Sequence, residues 1–399
     1  MADEQKQQIS SIFNMHGYSL REQIGEGGYG FVFKAENNAN GQECAIKILP
    51  FPNDENDRNA KYPKRELEIL KRPKNELWTE NIVRYYGSWQ SHIENTPFLC
   101  IQMELCLANL EHYIYDIVGS DVIKVSTPKQ LWAHVFPQIL NGLNAIHQIG
   151  WVHRDIHPGN ILVANPQPQQ ITEIVVKIAD FGLSREIGSI FKASLVLTVD
   201  PEMPELTPNV GHKLFRAPEL ATKNYDYKVD LFSAGIVLYF LSRYLPTKSQ
   251  WPDEIKELRN GNRGPQHLSH KDEVLANLID RLMKEKPDKR PTADMALKYI
   301  QGESKNLTEK EFLVRKKGHE TYYRCTTPDA SLESLKTAIQ EHSHIAIQAD
   351  AQTLEHETTN RNRNVNVGIT SDKDARDIFA SAERDGEKVS IVVTVNEPK

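Results

Sequence analysis

Three glycines near the start of the chain have a spacing that suits a bound phosphate group. Gly25, Gly27 and Gly30 form a G-x-G-x-x-G pattern, with Ile24 before it and Val32 after it. Such a loop can fold tightly over phosphates and offer backbone N–H groups without side-chain bulk. The pattern alone is weak evidence, because a glycine-rich hairpin and a dinucleotide-binding turn share it.

The residues after the glycines exclude the dinucleotide-binding class. Residues 31–35 and 44–47 both have strand-like patterns, with a turn at Asn40 and Gly41 between them. A dinucleotide-binding turn is followed by a helix, and no helical pattern follows here. The glycines therefore lie in a strand-rich region whose third strand ends on Lys47.

Further motifs follow in a fixed order. Residues 44–47 read C-A-I-K, 153–160 read H-R-D-I-H-P-G-N, 180–182 read D-F-G and 217–219 read A-P-E. With the glycine loop, these segments resemble the signature motifs of protein kinases in order and in spacing. Each short motif arises by chance, but five in the right order over about 200 residues do not. The chain is identified on these residues as a member of the protein kinase family.

The hydrophobic pattern agrees with the fold that this resemblance implies. A strand-rich stretch begins at Tyr18, residues 62–72 have a helical pattern, and helices dominate from residue 128 to about 301. We expect an α+β fold with a bilobal protein kinase domain over residues 18–301, consisting of a β-rich N-lobe and a helical C-lobe. Residues 1–17 are polar and Gln-rich, and we predict that they form a flexible leader.

The pattern changes after Gly302. Residues 302–311 are polar and are interpreted as a linker, and strand-like alternation recurs at 321–325, 345–347, 365–369 and 389–395. Apolar positions between residues 332 and 339, and a capping-box-like start at Ser371, predict two helices. We therefore expect a small α/β accessory domain over residues 312–399, with a disordered tail as the alternative.

Composition excludes several functional classes. A chain with 39% hydrophobic and 26% charged residues is globular, and its net charge of −6 argues against direct nucleic-acid binding. The longest apolar run, at 234–241, is too short for a membrane span and is interpreted as a buried helix. The start of the chain has no signal-peptide pattern, and the 4 cysteines have no metal-ligand spacing, which favours a cytoplasmic location.

The resemblance implies ATP and Mg²⁺ as cofactors and gives roles to the motif residues. Lys47 would bind phosphates and be held by a helix carboxylate, for which Glu66 is preferred to Glu68. Asp155 would orient the substrate hydroxyl group and take its proton. The metal ligands would be Asn160 and Asp180.

The resemblance also gives positions that contact ATP. Val32, Ala45 and Leu162 would enclose the adenine, and Met103 would close the back of its pocket. The complete predicted ATP site is Ile24, Gly25, Gly27, Gly30, Val32, Ala45, Lys47, Met103, Glu104, Cys106 and Leu162. Asp230 and Arg290 would be structural anchors of the C-lobe, with Arg290 paired to Glu219.

Four segments refine the resemblance. Residues 81–89, 101–106, 176–183 and 206–219 are similar to the kinases that phosphorylate the alpha subunit of translation initiation factor 2. In that family a helix like residues 249–261 recognises the substrate. The expected activity is thus that of a Ser/Thr protein kinase, with a protein substrate of the initiation factor 2 alpha type; a homodimer is left open.

Two residues depart from the family pattern beside the catalytic aspartate. Where Ser/Thr kinases carry Lys and Thr, this chain has His157 and His212. One hypothesis includes His157 among the catalytic residues, as an imidazolium that balances phosphate charge, so that activity falls as the pH rises. The alternative is a nucleotide-binding pseudokinase scaffold that recruits partners through the C-terminal domain.

Arg154, immediately before the catalytic aspartate, suggests regulation by a phosphate group in the activation segment. Thr207 lies where the resembling family has an autophosphorylated threonine, so both residues are predicted to be regulatory. Other hydroxyl residues of the segment compete with it: Ser184, Ser189, Ser194 and Thr198.

Overall fold

A computed structural model gives the architecture of the chain. It describes residues 3–27, 30–51, 61–72, 79–93, 96–117, 128–164, 168, 170–187, 212–222, 225–243, 245, 247–261, 272–302, 310–316, 323–327, 352–360, 363–369 and 389–395. A strand-rich lobe precedes a helical lobe, so the bilobal order predicted from the sequence is confirmed.

The N-lobe is built on a five-stranded antiparallel sheet in the order β1-β2-β3-β5-β4. Its strands are β1 (Tyr18–Gly27), β2 (Gly30–Asn37), β3 (Glu43–Pro50), β4 (Tyr85–Ile93) and β5 (Thr96–Met103). Val32 lies opposite Lys47, and Ala45 lies opposite Met103. Since side chains alternate along a strand, these four share the sheet face that the ATP site requires.

The opposite face of the sheet is covered by helix α1 (Asp3–Met15). Ile9, Ile12 and Phe13 are spaced as one helical stripe and are buried. They pack on side chains of β2, β3 and β5, namely Phe33, Ala35, Cys44, Ile46, Ile48 and Cys100. The prediction of a flexible leader is therefore wrong, because three apolar residues among the glutamines suffice to anchor the helix.

Helix α2 (Lys61–Leu70) carries the carboxylate that the ATP site needs. Glu66, Ile69 and Leu70 are buried on its inner face, whereas Glu68 is exposed. The helix packs against the turn Phe181–Leu183, which brings the N-lobe to the start of the activation segment.

The helical lobe surrounds one fully buried helix. Its helices are α3 (Leu110–His112), α4 (Pro128–Gln148), α5 (Lys228–Ser242), α6 (Trp251–Arg259), α7 (Glu273–Leu282) and α8 (Ala293–Gln301). Every residue of α5 is buried, as expected for a helix that is apolar on all sides. This helix contains the apolar run interpreted as a core element. None of the helices in the described part of the chain is long and apolar enough to cross a membrane.

Short strands near the lobe boundary bring the two metal candidates together. The strands are β6 (Ala108–Asn109), β7 (Trp151–Val152), β8 (Ile161–Val163), β9 (Val176–Ile178) and β10 (Arg185–Glu186). β8 and β9 are antiparallel, with Ile161 opposite Ile178. The start of β8 and the end of β9 therefore meet, and Ala179 N donates to Asn160 O over 2.9 Å.

Five strands beyond residue 302 form a separate mixed sheet in the order β12-β11-β15-β13-β14. They are β11 (Lys310–Lys316), β12 (Tyr323–Thr327), β13 (Gln352–Asn360), β14 (Arg363–Ile369) and β15 (Val389–Val395). Strands β11 and β13 are not predicted by the sequence pattern, and β11 begins inside the expected linker 302–311. The expected strand at 345–347 and both expected helices lie outside the described residues.

Candidate active site

Lys47 is held between two carboxylates at the junction of the lobes. Its Nζ lies 2.8 Å from both carboxylate oxygens of Glu66 and 2.9 Å from Asp180 Oδ1. Strand β3 supplies the lysine, α2 supplies the glutamate and the turn after β9 supplies the aspartate. Glu66 lies 19 positions and Asp180 lies 133 positions after Lys47 in the sequence, and the structure brings the three side chains together.

Charge and burial oppose each other in this triad. Burial disfavours the ammonium group, but Asp180 and Glu66 outweigh it and raise the pKa of Lys47. Burial also raises the pKa of Glu66 to about 7, against the opposing charge of Lys47. For Asp180 the nearby ammonium group prevails over burial, so its pKa is lowered. Lys47 is therefore a permanent cation at neutral pH.

The catalytic loop is anchored by Asp230, which is fully buried at the start of α5. Its two carboxylate oxygens accept the backbone N–H groups of His153 over 2.8 Å and of Arg154 over 2.7 Å. His147 Nε2 lies 2.9 Å from the same carboxylate. These contacts hold Arg154 at φ 69°, a left-handed conformation that is strained for a residue with a side chain.

Asp155 lies at the centre of the site and accepts three hydrogen bonds from two residues. Asn160 Nδ2 donates to its carbonyl over 2.9 Å and to its Oδ2 over 3.1 Å, and His212 N donates to its Oδ1 over 2.6 Å. Burial disfavours the carboxylate, but His157, His153 and the amide of His212 outweigh it and lower the pKa of Asp155. Asp155 is therefore ionised at neutral pH and can accept a hydrogen bond from a hydroxyl group.

Both histidines that depart from the family pattern lie at Asp155. His157 Nε2 is 3.7 Å from Asp155 Oδ2, within ion-pair range but too far for a direct hydrogen bond. His212 reaches the carboxylate through its backbone, and its ring packs on His157 with the ring centroids 4.8 Å apart. Phe215 lies 5.2 Å from the His212 ring, edge to face.

The donor set fits Mg²⁺. Asn160 uses its amide nitrogen on Asp155, so the atom it can offer to a cation is the amide oxygen. Asp180 Oδ1 contacts Lys47, and its backbone is left-handed with φ 62°. Amide and carboxylate oxygens at the meeting ends of β8 and β9 are the hard ligands that this ion prefers.

Four of the predicted ATP positions, Val32, Ala45, Lys47 and Met103, share one face of the N-lobe sheet. Val32 and Leu162 are half-buried, Ala45 and Met103 are buried, and Ile24 is exposed at the edge. Gly25 lies opposite Val32 and Gly27 lies opposite Gly30 in the β1–β2 hairpin. A Cβ atom on Gly30 would come within 2.0 Å of the Ile48 carbonyl oxygen, so only glycine fits where β2 approaches β3.

Glu104 and Cys106, two of the predicted ATP positions, follow β5. The Glu104 side chain accepts from Arg84 N over 2.5 Å and lies 3.0 Å from Lys177 Nζ, so its carboxylate is held by the residue before β4 and by β9. Burial raises the pKa of the Cys106 thiol to about 12, which keeps it neutral.

The regulatory candidates are only partly within the described residues. Arg154 Nε donates to Leu183 O over 2.6 Å and its Nη1 donates to the Tyr225 hydroxyl over 2.7 Å. Ser184 is fully buried, which removes it as an accessible phosphorylation site. Thr207 lies outside the described residues, as do three competing hydroxyl residues: Ser189, Ser194 and Thr198.

The contact of Gly159 with His157 in the catalytic loop is not predicted by the sequence motifs. Gly159 N donates to His157 Nδ1 over 3.1 Å, so that His157 caps the 3₁₀ turn Pro158–Asn160. A Cβ atom on Gly159 would lie 2.7 Å from His157 Cε1. The signal was present, because a glycine follows the unusual histidine by two residues.

Comparison with known proteins agrees with this geometry. The model of the protein kinase domain matches residues 18–300. The chain is 30% identical over 304 residues to the interferon-induced, double-stranded RNA-activated protein kinase of Mus musculus, covering 73% of this chain and 52% of that protein. It is 31% identical over 303 residues to the DNA damage response protein kinase DUN1 of Saccharomyces cerevisiae, covering 71% and 54% respectively.

A third relative is the membrane-associated tyrosine- and threonine-specific cdc2-inhibitory kinase of Drosophila melanogaster. It is 28% identical over 297 residues, which cover 73% of this chain and 49% of the relative. The chain thus spans about half the length of these three curated relatives. The matched residues contain the Lys47, Asp155 and Asp180 constellation, and the chain belongs to the protein kinase family.

Proposed function

We propose that this chain is a Ser/Thr protein kinase that transfers the γ-phosphate of ATP to protein hydroxyl groups. The observation that carries the proposal is the triad of Lys47, Glu66 and Asp180, with both carboxylates within 2.9 Å of the ammonium group. A phosphate-binding lysine that is already paired with its helix glutamate is a requirement for phosphoryl transfer in this family.

The chain's own residues supply the remaining functions. Asn160 and Asp180 would hold Mg²⁺, which neutralises charge on the transferring phosphoryl group when it is bound. Asp155 orients the substrate hydroxyl group and accepts its proton, because its carboxylate is ionised and fixed by Asn160 and the His212 amide. The expected rate advantage comes from positioning and electrostatics.

The substrate we propose is the alpha subunit of translation initiation factor 2 or a related signalling protein. The support is the resemblance of four segments to kinases of that factor. Helix α6, the expected substrate helix, buries Trp251, Ile255 and Leu258 and exposes Asp253 and Lys256. Its polar outer face is thus available to a protein partner. A cytoplasmic location, which the cysteine pattern favours, is also part of this proposal, and a homodimer is left open.

We also propose control by autophosphorylation at Thr207. Arg154 is buried, and its Nη2 has no hydrogen-bond partner among the described residues. Arg65 of α2 and Arg185 of β10 lie close enough for the charge of Arg154 to lower the pKa of both, after the larger effect of burial. A phosphate group bound among these three guanidinium groups would offset the repulsion between their positive charges.

Phosphate transfer from labelled ATP with Mg²⁺ tests the activity. The protein alone and purified initiation factor 2 alpha subunit serve as acceptors, with Asp155→Asn beside the wild type and the exposed Asp288→Asn as a matched control. We expect transfer to the factor that survives in Asp288→Asn and is lost in Asp155→Asn. If the protein phosphorylates itself but not the factor, the proposed kinase activity is retained and the proposed substrate is rejected. If the protein binds ATP but transfers phosphate to neither acceptor, the result favours the alternative function of a pseudokinase scaffold.

The regulatory proposal has its own test. Thr207→Ala is expected to lower turnover sharply and to remove a phosphate group that mass spectrometry finds in the wild type. Ser184→Ala is the control, since its buried hydroxyl cannot be the acceptor. Unchanged turnover in Thr207→Ala would reject control through this residue.

A further inference from the structure

The loop of residues 212–216 connects directly to the catalytic aspartate. His212 N donates to Asp155 Oδ1 over 2.6 Å, and Phe215 N closes a turn by donating to His212 O over 3.0 Å. Ser233 Oγ of α5 holds the same turn by donating to Phe215 O over 2.8 Å. A protein acceptor whose hydroxyl group reaches Asp155 therefore lies beside this loop.

A single arginine of α6 binds the loop at two further points. Arg259 Nη1 donates to Leu214 O over 3.0 Å and to Arg216 O over 2.7 Å. Arg259 follows these residues by 45 and 43 positions in the sequence, so the two bonds join distant segments of the chain. An arginine suits this role because its guanidinium group is always charged and offers several N–H donors from one rigid plane.

The position of Arg259 follows from the helix that carries it. It is the last residue of α6 and comes four residues after the buried Ile255, so it lies on the side of the helix that packs on the lobe. Its guanidinium group lies over the ring of Phe232, 5.3 Å from the ring centroid. Phe232 is a buried residue of α5, so this contact fixes the arginine while its N–H groups bind the loop.

The ring of Phe232 also links Arg259 to the anchor of the C-lobe. The guanidinium group of Arg290 lies 4.9 Å from the centroid of the same ring, and it binds both carboxylate oxygens of Glu219. The loop and the segment after it are thus held by several independent contacts. Since these remain when one is lost, we expect removal of the Arg259 side chain to shift the loop without unfolding the lobe.

We propose that Arg259 is a positioning residue that joins α6, the expected substrate helix, to the loop beside Asp155. The contacts run from the helix through Arg259 to two carbonyl groups of the loop, and from the amide of His212 to the catalytic carboxylate. A protein acceptor held on the outer face of α6 is thereby aligned with Asp155. This inference rests on the proposed kinase function and adds the residue that couples acceptor binding to the catalytic site.

Hydrogen exchange of the full chain, measured at single residues by NMR, tests the contact without any need for activity. In Arg259→Gln we expect the amide hydrogens of His212 and Phe215 to exchange about 10-fold faster than in the wild type, because their turn loses two anchors. The amides of His153 and Arg154 should keep their protection, which shows that the variant is folded. Unchanged exchange at His212 and Phe215 would overturn the proposal.

Two further variants sharpen this measurement. Arg281→Gln is the matched control, because it removes an arginine from the last turn of a different helix, α7. Arg259→Lys keeps the positive charge but replaces the planar group that stacks on Phe232 with a compact ammonium group. We expect the loop of Arg259→Lys to exchange at a rate between those of the wild type and Arg259→Gln. Equal exchange in Arg259→Gln and Arg281→Gln would overturn the proposal.

Steady-state kinetics tests the coupling itself. With the alpha subunit of initiation factor 2 as acceptor, Arg259→Gln is expected to lower kcat by about 10-fold and to leave the KM for ATP unchanged, because the acceptor is displaced and the ATP site is not. Arg259→Lys should recover part of this loss, and Arg281→Gln should match the wild type. A wild-type kcat in Arg259→Gln would overturn the positioning role, even where the loop exchanges faster.

The outcomes separate this inference from the proposed function. If the wild type phosphorylates itself but not the factor, the rate of autophosphorylation takes the place of kcat in the same comparison. If the wild type transfers no phosphate to either acceptor, the proposed function fails, and the role of Arg259 in transfer fails with it. The exchange rates then still decide whether Arg259 holds the loop.

Discussion

Both carboxylate oxygens of Glu66 lie 2.8 Å from the ammonium group of Lys47, in a pair that is almost completely buried. The pair links α2 to β3, so the position of the helix decides where the phosphate-binding cation lies. A buried ion pair contributes little net stability, but loss of one partner leaves an uncompensated charge.

Glu66→Gln keeps the shape of the side chain and removes its charge. We expect phosphate transfer to fall by about 10- to 100-fold, because Lys47 then has one carboxylate fewer to fix it. Glu68→Gln, two residues further along the same helix and exposed, is the matched control. Steady-state rates of both variants measure the effect, and equal rates would show that the pair has no catalytic role.

Phe13→Ala should destabilise the N-lobe although the residue lies far from the ATP site. Phe13 is fully buried and meets Phe33 edge to face at 5.9 Å, so its loss leaves a cavity that costs about 3 kcal/mol. Met15→Ala changes the same helix at a residue that is 70% exposed and should have little effect. Urea denaturation compares the two, and similar midpoints would contradict the packing of α1.

Asp230→Asn should both destabilise the C-lobe and reduce catalysis. The amide side chain offers one acceptor oxygen where the carboxylate accepts from two backbone N–H groups, so we expect a loss of about 3 kcal/mol. Arg154 would also lose the contact that holds its strained backbone. Asp280→Asn, at the surface of α7, serves as the control for denaturation and for kcat. An unchanged kcat in a folded Asp230→Asn protein would contradict the anchoring role.

The stability of the domain should depend on pH through His153. Burial lowers its pKa, so the folded chain binds fewer protons than the unfolded chain below the ordinary histidine value of about 6.5. The stability from neutral His153 is complete above that value and is lost as the pH falls through the folded-state pKa. We expect the free energy of unfolding of the wild type to approach that of His153→Gln as the pH falls from 7.5 to 5.5. A pH-independent difference would reject this prediction.

Sequence patterns predicted the residues of the site better than their contacts. The motif order located Lys47, Asp155 and Asp180, and helical periodicity chose Glu66 over Glu68, since only one of the two can face the sheet. The pattern could not show that His212 reaches Asp155 through its backbone amide, because any residue type offers that group. Nor could it show the left-handed backbone of Arg154, which depends on a distant carboxylate.

The elements that were missed have weak local signals for physical reasons. Helix α1 has only three buried apolar residues in a polar segment. They are stabilised by a sheet face whose residues come later in the sequence. Strand β13 is mostly polar, and its identity is fixed by pairing with β14 and β15. Tertiary contacts of this kind override local propensity.

The contacts of Asp230 also bear on how the enzyme is made. The two amides of the catalytic loop find their acceptor 77 and 76 residues further along the chain. A nascent chain that ends before α5 cannot hold Arg154 in its left-handed conformation, because the carboxylate has not yet been synthesised. Catalytic competence is therefore a late event in biogenesis, reached only after a long-range loop closure, and truncated translation products lack it.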